Sequence, residues 1–229
     1  MKCFSRRVLG RLYVLVTLFC ASFLILQGVR HSPWYSQRLY RTLLSGSEPE
    51  QRHAASALAQ IGAQDQLLRA LQAENAQARD MAQRGLEYLW FNSAGSRAYQ
   101  LLADAYAAST EDQPQQALIL LNELTSRFPK FAEGWNRRAS VHWQLGDYAQ
   151  SQADCERALA LNPQHYGAWQ GIGLCQLQNG DVAGACQSLR AALKILPHNH
   201  ATQVSLRRCE ELLRSCPPAL RNVRRDDLI

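Results

Sequence analysis

The stretch that decides the fold is AEGWNRRASVHWQLGDYAQSQADCERALALNP, residues 132–163, because YGAWQGIGLCQLQNGDVAGACQSLRAALKILP, residues 166–197, nearly repeats it. A weaker third copy precedes them at residues 98–129. A fixed period of this size is typical of repeat proteins, in which one small helical unit stacks on the next. The residues that keep the period of 34 are Trp135 and Trp169, Gly146 and Gly180, Ala117, Ser151 and Ala185, Ala158 and Ala192, and Pro129, Pro163 and Pro197.

Each of these positions has a physical role in a helical hairpin. Glycine at 146 and 180 allows a tight turn between two helices, because it has no Cβ. Small residues at 151 and 185 permit the helices to approach closely. Proline at 163 and 197 ends the second helix, since it cannot continue the hydrogen-bond ladder and restricts the residue before it.

The pattern resembles the tetratricopeptide repeat, a 34-residue helix-turn-helix unit. The match is strongest in 166–197. In 132–163 Arg138 and Ala139 replace the usual Leu-Gly, and in 98–129 Leu101 replaces the tryptophan and STEDQP the turn. The resemblance implies an all-α, right-handed solenoid whose last apolar face is covered by a capping helix at 198–215. The residues in register in the strongest copy are Trp169, Ile172, Gly173, Gly180, Ala185, Leu189, Ala192 and Pro197.

Residues 33–92 show a second, fainter periodicity. QRHAASALAQIG (51–62) and ARDMAQRGLEYLW (78–90) align Arg52 with Arg79 and Ala55 with Ala82. This resembles short HEAT-type repeats, although two ordinary amphipathic helices would give the same pattern. We expect these helices to stack on the first hairpin in one continuous solenoid. The tail at 216–229, with its double proline and mixed charges, is predicted to be disordered.

The first thirty residues predict a membrane anchor. A basic leader, MKCFSRRVLGR (1–11), precedes LYVLVTLFCASFLILQGV (12–29), which has no charged residue. As a helix this run would span about 27 Å, close to the thickness of a bilayer's hydrocarbon core. A signal peptide cleaved after Ser22 and a buried soluble helix are alternatives, but the apolar run continues to Leu26, further than a signal peptide needs. We expect a retained single-pass helix in a bacterial inner membrane, with the repeats in the periplasm.

The charge distribution gives no support to a nucleic-acid partner. The formal net charge is +6, but five basic residues and no acidic ones lie in the first thirty positions, so the remainder is almost balanced. Nucleic-acid binding requires a concentrated basic face. Those five residues are Lys2, Arg6, Arg7, Arg11 and Arg30.

No catalytic, metal or cofactor site is predicted, and no small-molecule substrate is expected. His198 and His200 flank Asn199, but no third ligand lies at a recognised spacing, so an exposed turn is the interpretation we favour. Among the cysteines, Cys209 and Cys216 are the better candidates for a disulfide or an intermolecular link if the repeats are exported. We expect the other three in the repeats to be buried as small apolar side chains; they are Cys155, Cys175 and Cys186.

The resemblance implies that the first helix of each hairpin lines a concave groove. We expect Trp143 to be the central anchor for an extended or helical peptide, since buried aromatic residues contribute much of the binding energy of an interface. The alternative is that Trp143 and Leu174 pack against the capping helix or each other. The predicted groove residues are Leu102, Tyr106 and Ser109, then Asn136, Arg137, Ser140 and Trp143, then Gln170, Leu174 and Leu177.

Some members of the family bind a C-terminal carboxylate through Lys and Asn side chains of the first unit, Asn of the second and Lys and Arg of the third. That clamp is missing here, because the matching positions hold Leu102, Tyr106, Arg137, Gly167 and Gly171. Arg137 and the neighbouring Arg138 form at most a small cationic spot for an acidic partner.

The sequence therefore predicts a membrane-anchored scaffold that binds a protein or peptide partner without making or breaking a bond. An architectural subunit, whose repeats self-associate or whose groove is filled by its own chain, is the alternative. An enzyme would need a cluster of polar groups that the sequence does not display.

Overall fold

The computed structural model describes residues 15–17, 19, 28 and 32–215. The predicted leader at 1–11, most of the predicted anchor at 12–29 and the tail at 216–229 lie outside these residues. Among the described helices, none has both the length and the apolar character that crossing a bilayer requires. From residue 32 to residue 215 the regular structure is entirely helical.

The described chain forms two compact units, and the single continuous solenoid stays a prediction. The boundary falls between Leu86 and Glu87. It lies inside a helix, so the last residues of the predicted 33–92 segment belong to the second unit.

The first unit contains helices α1 (Pro33–Ser45), α2 (Glu48–Gln60), α3 (Gln64–Ala70) and the beginning of α4 (Ala76–Asn92). Ser32 caps α1 by accepting the amide hydrogen of Tyr35, and Glu50 caps α2 by accepting that of Ser47. The core is formed by fully buried leucines and by close helix approach at Gly85, where a Cβ would lie 3.0 Å from the carbonyl oxygen of Ala55. These leucines are Leu43, Leu58, Leu67, Leu71 and Leu86.

The two residue pairs behind the predicted HEAT-type alignment behave differently. Ala55 and Ala82 are both buried in the first unit. Arg52, however, forms an exposed ion pair with Glu48, while Arg79 donates to the carbonyl oxygens of Ala73 and Glu74 in the preceding turn. The HEAT-like assignment stays a prediction.

The second unit contains three helical hairpins at the positions that the period predicts. They are α5 (Ser96–Thr110) with α6 (Pro114–Arg127), α7 (Ala132–Gln144) with α8 (Tyr148–Leu161), and α9 (Tyr166–Gln178) with α10 (Val182–Ile195). A final helix, α11 (His200–Ser215), packs on α10 where the capping helix is predicted. It buries Thr202 and Cys209.

The three hairpin turns share one backbone conformation. Gly146 and Gly180 have positive φ angles of 83° and 80°, as a tight turn of this type requires. In the first hairpin the equivalent position is Asp112, with φ 59°. Aspartate tolerates the left-handed region better than most residues, so the irregular STEDQP segment keeps the same turn.

The two tryptophans of the period fasten successive hairpins together. The indole N–H of Trp135 donates to the carbonyl oxygen of Pro129, and that of Trp169 donates to the carbonyl oxygen of Pro163, each at 3.0 Å. Each bond joins the start of one hairpin to the end of the preceding one. The tryptophan and the proline of the period therefore act as a pair.

A buried polar cluster replaces the usual apolar contact at Arg138. Its guanidinium forms two hydrogen bonds of 2.7 Å with the carboxylate of Asp154 on α8, and further bonds with Asn122 and Thr125 on α6. It also lies 4.7 Å above the ring of Trp135. Arg138 therefore ties α6, α7 and α8 together, and the departure from Leu-Gly has a structural role.

Candidate functional site

Helices α7 and α9 of the second unit line a cavity of about 390 Å³. Apolar and amide groups both line the cavity, the amides being those of Asn136, Gln144 and Gln170. Trp143 is 37% exposed, and its ring stands edge-on to Tyr148 at 6.2 Å. Burying an aromatic ring of this size contributes strongly to an interface. Six of the predicted groove residues meet here: Asn136, Arg137, Ser140, Trp143, Gln170 and Leu174.

A smaller cavity of about 230 Å³ lies between α5 and α7. Three more predicted residues, Leu102, Tyr106 and Ser109, line it. Leu102 is buried at its base, whereas the ring of Tyr106 is 57% exposed. The Ser109 hydroxyl lies 3.4 Å from Oε1 of Gln144, which joins the two helices across the opening.

Leu177, also predicted to face the groove, lines neither of these two cavities. Its side chain packs against the cluster that holds α10 and α11 together, which includes Leu189 and Cys209. Leu177 lies one helical turn beyond Leu174, at the end of α9, where α11 also packs. It contributes to the stability of the last hairpin and its cap.

The predicted cationic spot at Arg137 and Arg138 is neutralised. Nε of Arg137 donates to Oε1 of Glu133 at 2.6 Å, and Arg138 is paired with Asp154. Both carboxylates are almost fully buried, so neither arginine is a free positive charge for an acidic partner.

Glu133 lies at the centre of a buried polar network under the cavity. It accepts hydrogen bonds from Arg137 and from Nε2 of His165, the latter at 2.8 Å. Nδ1 of His165 accepts the amide hydrogen of Ala168, so the ring proton is on Nε2 and points to the carboxylate. Burial raises the pKa of Glu133, but these two donors outweigh it and hold that pKa below its usual value.

The end of α4 forms a third side of the site, which the repeat pattern does not predict. Trp90 stacks on the His165 ring with centroids 4.6 Å apart and an interplanar angle of 18°. The Tyr166 hydroxyl donates to Oε1 of Glu87 at 2.7 Å, and burial together with this carboxylate raises the pKa of Tyr166. Phe91 lies 4.9 Å from the guanidinium of Arg137.

These contacts lie within the second unit and extend from the third hairpin to the second. Glu87, Trp90 and Phe91 line the larger cavity, and Phe91 also lines the smaller one. The acidic and aromatic residues in the run 87–91 are the sequence signal that could have indicated contacts with the repeats.

The repeat cysteines are free and buried. Cys209, a predicted disulfide candidate, is fully buried beside Cys186, and the two thiols are hydrogen-bond partners. Burial raises the pKa of Cys209 to about 12, which opposes formation of the reactive thiolate. Its proposed partner Cys216 lies outside the described residues. Cys155 and Cys175 are buried between the second and third hairpins, where Cys175 donates to Ser151.

The described residues hold no cluster of three or more His, Cys, Asp or Glu side chains that could bind a metal ion. His198 and His200 are both exposed. What the site offers is a mixed apolar and polar surface, suited to recognition of another chain.

The sequence is similar to those of known repeat proteins. A model of the tetratricopeptide repeat family matches residues 102–151 and 136–200. A TPR repeat-containing protein of Rhizobium etli is 30% identical over 165 residues, which are 72% of this chain and 80% of that protein. A Protein SGT1 homolog of Bos taurus is 28% identical over 126 residues, which are 55% of this chain and only 36% of that protein.

Solved structures share the fold of the repeats. The first TPR domain of Spaghetti (RPAP3), bound to the HSP90 peptide SRMEEVD, has a TM-score of 0.50 and 21% identity, covering 52% of this chain and 94% of that one. The Sgt2 TPR domain from Aspergillus fumigatus has a TM-score of 0.50 and 19% identity, covering 53% and 85%. With its 34-residue period, its stacked hairpins and its relative in Rhizobium etli, the chain belongs to the tetratricopeptide repeat family.

Proposed function

We propose that this protein is a non-enzymatic scaffold that binds a protein or peptide partner in the cavity between α7 and α9. The observation that carries the proposal is the cavity of about 390 Å³ with the partly exposed Trp143 in its lining and Leu174 on the facing helix. An aromatic anchor beside amide and hydroxyl groups is suited to a peptide, which presents both side chains and backbone.

The fold neighbour bound to an HSP90 peptide supports a peptide-binding role, but a different ligand chemistry applies here. Of the positions that match a carboxylate clamp, Leu102 is buried, Arg137 is paired with Glu133, and Gly167 and Gly171 have no side chain. A Cβ at Gly171 would lie 2.6 Å from Sγ of Cys155, so a long basic side chain would not fit without rearrangement. We therefore expect the repeats to recognise side chains within the partner's sequence and not its C-terminal carboxylate.

The proposed scaffold is anchored in a membrane by its N-terminal residues. The basic leader at 1–11 and the uncharged run at 12–29 support a single anchor in a bacterial inner membrane, with the repeats in the periplasm. Such an anchor would hold the groove close to partners at the cell envelope. Fusions of a periplasm-dependent and a cytoplasm-dependent reporter after residue 215 test the orientation, since only the first would be active.

The binding proposal is tested by crosslinking and pull-down from native membranes with four proteins. These are the intact chain, Trp143→Ala, Leu174→Ala and the control Ile119→Ala, which removes an equally apolar but more exposed side chain on α6. A partner captured by the intact chain and the control, but lost from the two folded groove variants, supports the proposal. Identical partners with all four proteins would contradict it.

A second candidate function, an architectural subunit with a self-filled groove, is favoured by one observation. Trp90 and Phe91 of the chain itself already lie against the second and third hairpins. In that case the pull-down would return only crosslinks between copies of this chain, and Trp143→Ala would not change them.

A further inference from the structure

The end of α4 presents one face to the repeats. Glu87, Trp90 and Phe91 are spaced i, i+3 and i+4, which places them on the same side of a helix. Tyr88, on another side of the same turn, is 53% exposed. This is the arrangement by which an amphipathic helix binds in a groove, with its anchors at helical spacing.

Each of the three anchors has its own partner among the repeats. The Glu87 carboxylate accepts the Tyr166 hydroxyl hydrogen at 2.7 Å, Trp90 is 94% buried and stacks on His165, and Phe91 meets the Arg137 guanidinium. The partners are polar or charged groups that orient a ring or a carboxylate. These groups therefore favour one particular pattern of side chains in the bound segment, whereas a purely apolar surface would bind many different sequences.

The partner residues are themselves held in place. His165 is fixed between Glu133 and the amide of Ala168, and Arg137 is fixed by Glu133. The repeats themselves therefore position His165 and Arg137, whereas the Tyr166 hydroxyl bonds to Glu87 of α4. A surface that is already ordered loses less entropy when it binds a ligand.

We propose that residues 87–91 are an intramolecular ligand of the repeats, and that the partner of this groove is a helical segment with the same pattern, a carboxylate three residues before two adjacent aromatic residues. This inference rests on the proposed function, since it names the chemical class of the partner. The intramolecular segment competes with the partner and sets the affinity that the partner must exceed.

The competition has a measurable size. A segment tethered in the same chain acts at an effective concentration of about 1 mM. It therefore weakens the binding of a free peptide of similar intrinsic affinity, by a factor equal to that concentration divided by the dissociation constant. For a peptide with an intrinsic dissociation constant of about 10 μM, the expected weakening in the intact chain is about 100-fold.

The experiment uses a fluorescent synthetic peptide with the sequence of residues 76–94, titrated into the full chain and into Trp90→Ala/Phe91→Ala. We expect the peptide to bind the double variant at least tenfold more tightly than the intact chain. Tyr88→Ala is the matched control, because it removes an exposed aromatic side chain from the same helical turn and should leave the weak binding of the intact chain unchanged.

Specificity is tested on both components. Replacing the two aromatic residues of the peptide by alanine should abolish binding to the double variant. Adding Tyr166→Phe to that variant removes the hydroxyl that meets the carboxylate, and should weaken binding about fivefold. If the alanine substitutions unfold the chain, Glu87→Gln replaces them, since it preserves both rings and should tighten peptide binding several-fold.

Peptide binding that is equal in the intact chain and the folded double variant, or absent from both, would overturn the inference. Its failure is distinguishable from that of the proposed function. If a captured partner depends on Trp143 but the peptide does not bind, the proposed function is supported and the inference is contradicted. Peptide binding without any captured partner leaves the intramolecular ligand and removes the function.

Discussion

Gln203 donates its amide hydrogen to the carbonyl oxygen of Pro197 at 2.7 Å, as Trp169, 34 positions earlier, donates to Pro163. The start of α11 repeats the start of α9 in a second respect, because Asn199 accepts the amide hydrogen of Thr202 as His165 accepts that of Ala168. The helix that covers the last hairpin therefore has the geometry of the first helix of another repeat unit.

Gln203→Ala should weaken the attachment of α11. Loss of this hydrogen bond is expected to lower the free energy of unfolding by about 1 kcal/mol and to speed hydrogen exchange in α11 first. Gln203→Trp should restore the bond through an indole N–H. Urea unfolding with Gln187→Ala, an exposed glutamine on α10, as the control checks this. Equal stability of Gln203→Ala and the control would contradict it.

Asp112→Gly should stabilise the first hairpin. Asp112 occupies the left-handed region at φ 59°, where glycine has no steric penalty, so we expect a gain of about 0.5 kcal/mol after the entropy of glycine in the unfolded chain is subtracted. Asp112→Ala should instead cost about 1 kcal/mol, because alanine gains no hydrogen bond there. Thermal unfolding of both variants measures the difference. A loss of stability in Asp112→Gly would show that the aspartate side chain is required.

Arg138→Ala should be strongly destabilising. It leaves the carboxylate of Asp154, which is 6% exposed, without its two charged hydrogen bonds, and we expect a loss of about 3 kcal/mol. Arg138→Leu/Asp154→Ala should recover part of this loss, since it removes both charges and restores the leucine typical of the family. Arg157→Ala, farther from the same tryptophan ring at 5.9 Å, is the control. A double variant less stable than Arg138→Ala would be the contrary result.

Glu133 should control the acid limit of stability. Its folded pKa lies below the usual 4.5, so the ionised form favours the folded state. Its contribution is fully present above the unfolded pKa and is lost as the pH falls below about 4.5 through the folded pKa. Glu133→Gln should therefore be about 2 kcal/mol less stable at pH 7, and the difference should shrink below pH 4.5. Unfolding curves from pH 3 to 7 test this, and a constant difference would contradict it.

A peptide with a free acidic C-terminus should gain nothing from its terminal carboxylate. The peptide SRMEEVD and its C-terminal amide are expected to bind equally weakly, with dissociation constants above about 1 mM, because Leu102, Gly167 and Gly171 offer no positive charge. Isothermal titration of both peptides checks this. Saturable binding that amidation removes would show a carboxylate site.

The hairpins and their boundaries follow from the sequence because glycine, proline and tryptophan each have one dominant role in the period. Trp135 and Pro129 form a pair whose spacing can be read directly. The hydrogen bond of Gln203 was not predicted. Glutamine resembles tryptophan only in having an N–H donor, so a repeat pattern based on residue types does not identify it as the equivalent residue. The equivalence of Asp112 to Gly146 and Gly180 was missed for a similar reason. The three residues share a backbone conformation but not a residue type.

The groove was predicted from the repeats alone, and that is why part of it was missed. Trp143 and Leu174 lie at regular positions of α7 and α9, so the period predicts them. Trp90 reaches His165 across 75 positions of sequence from a helix outside the period. A contact of that kind depends on tertiary packing. Helical spacing also predicted Leu177, but its side chain packs against the cluster between α10 and α11, a contact that the spacing does not contain.

The hydrogen bonds from Trp135 to Pro129 and from Trp169 to Pro163 make the junctions between units interchangeable. A segment of 34 residues inserted between these joints would find the same carbonyl acceptor before it and the same indole donor after it. The length of the repeat stack therefore changes by whole hairpins. Under the proposed function, a longer partner would be accommodated by adding one hairpin without altering those already present.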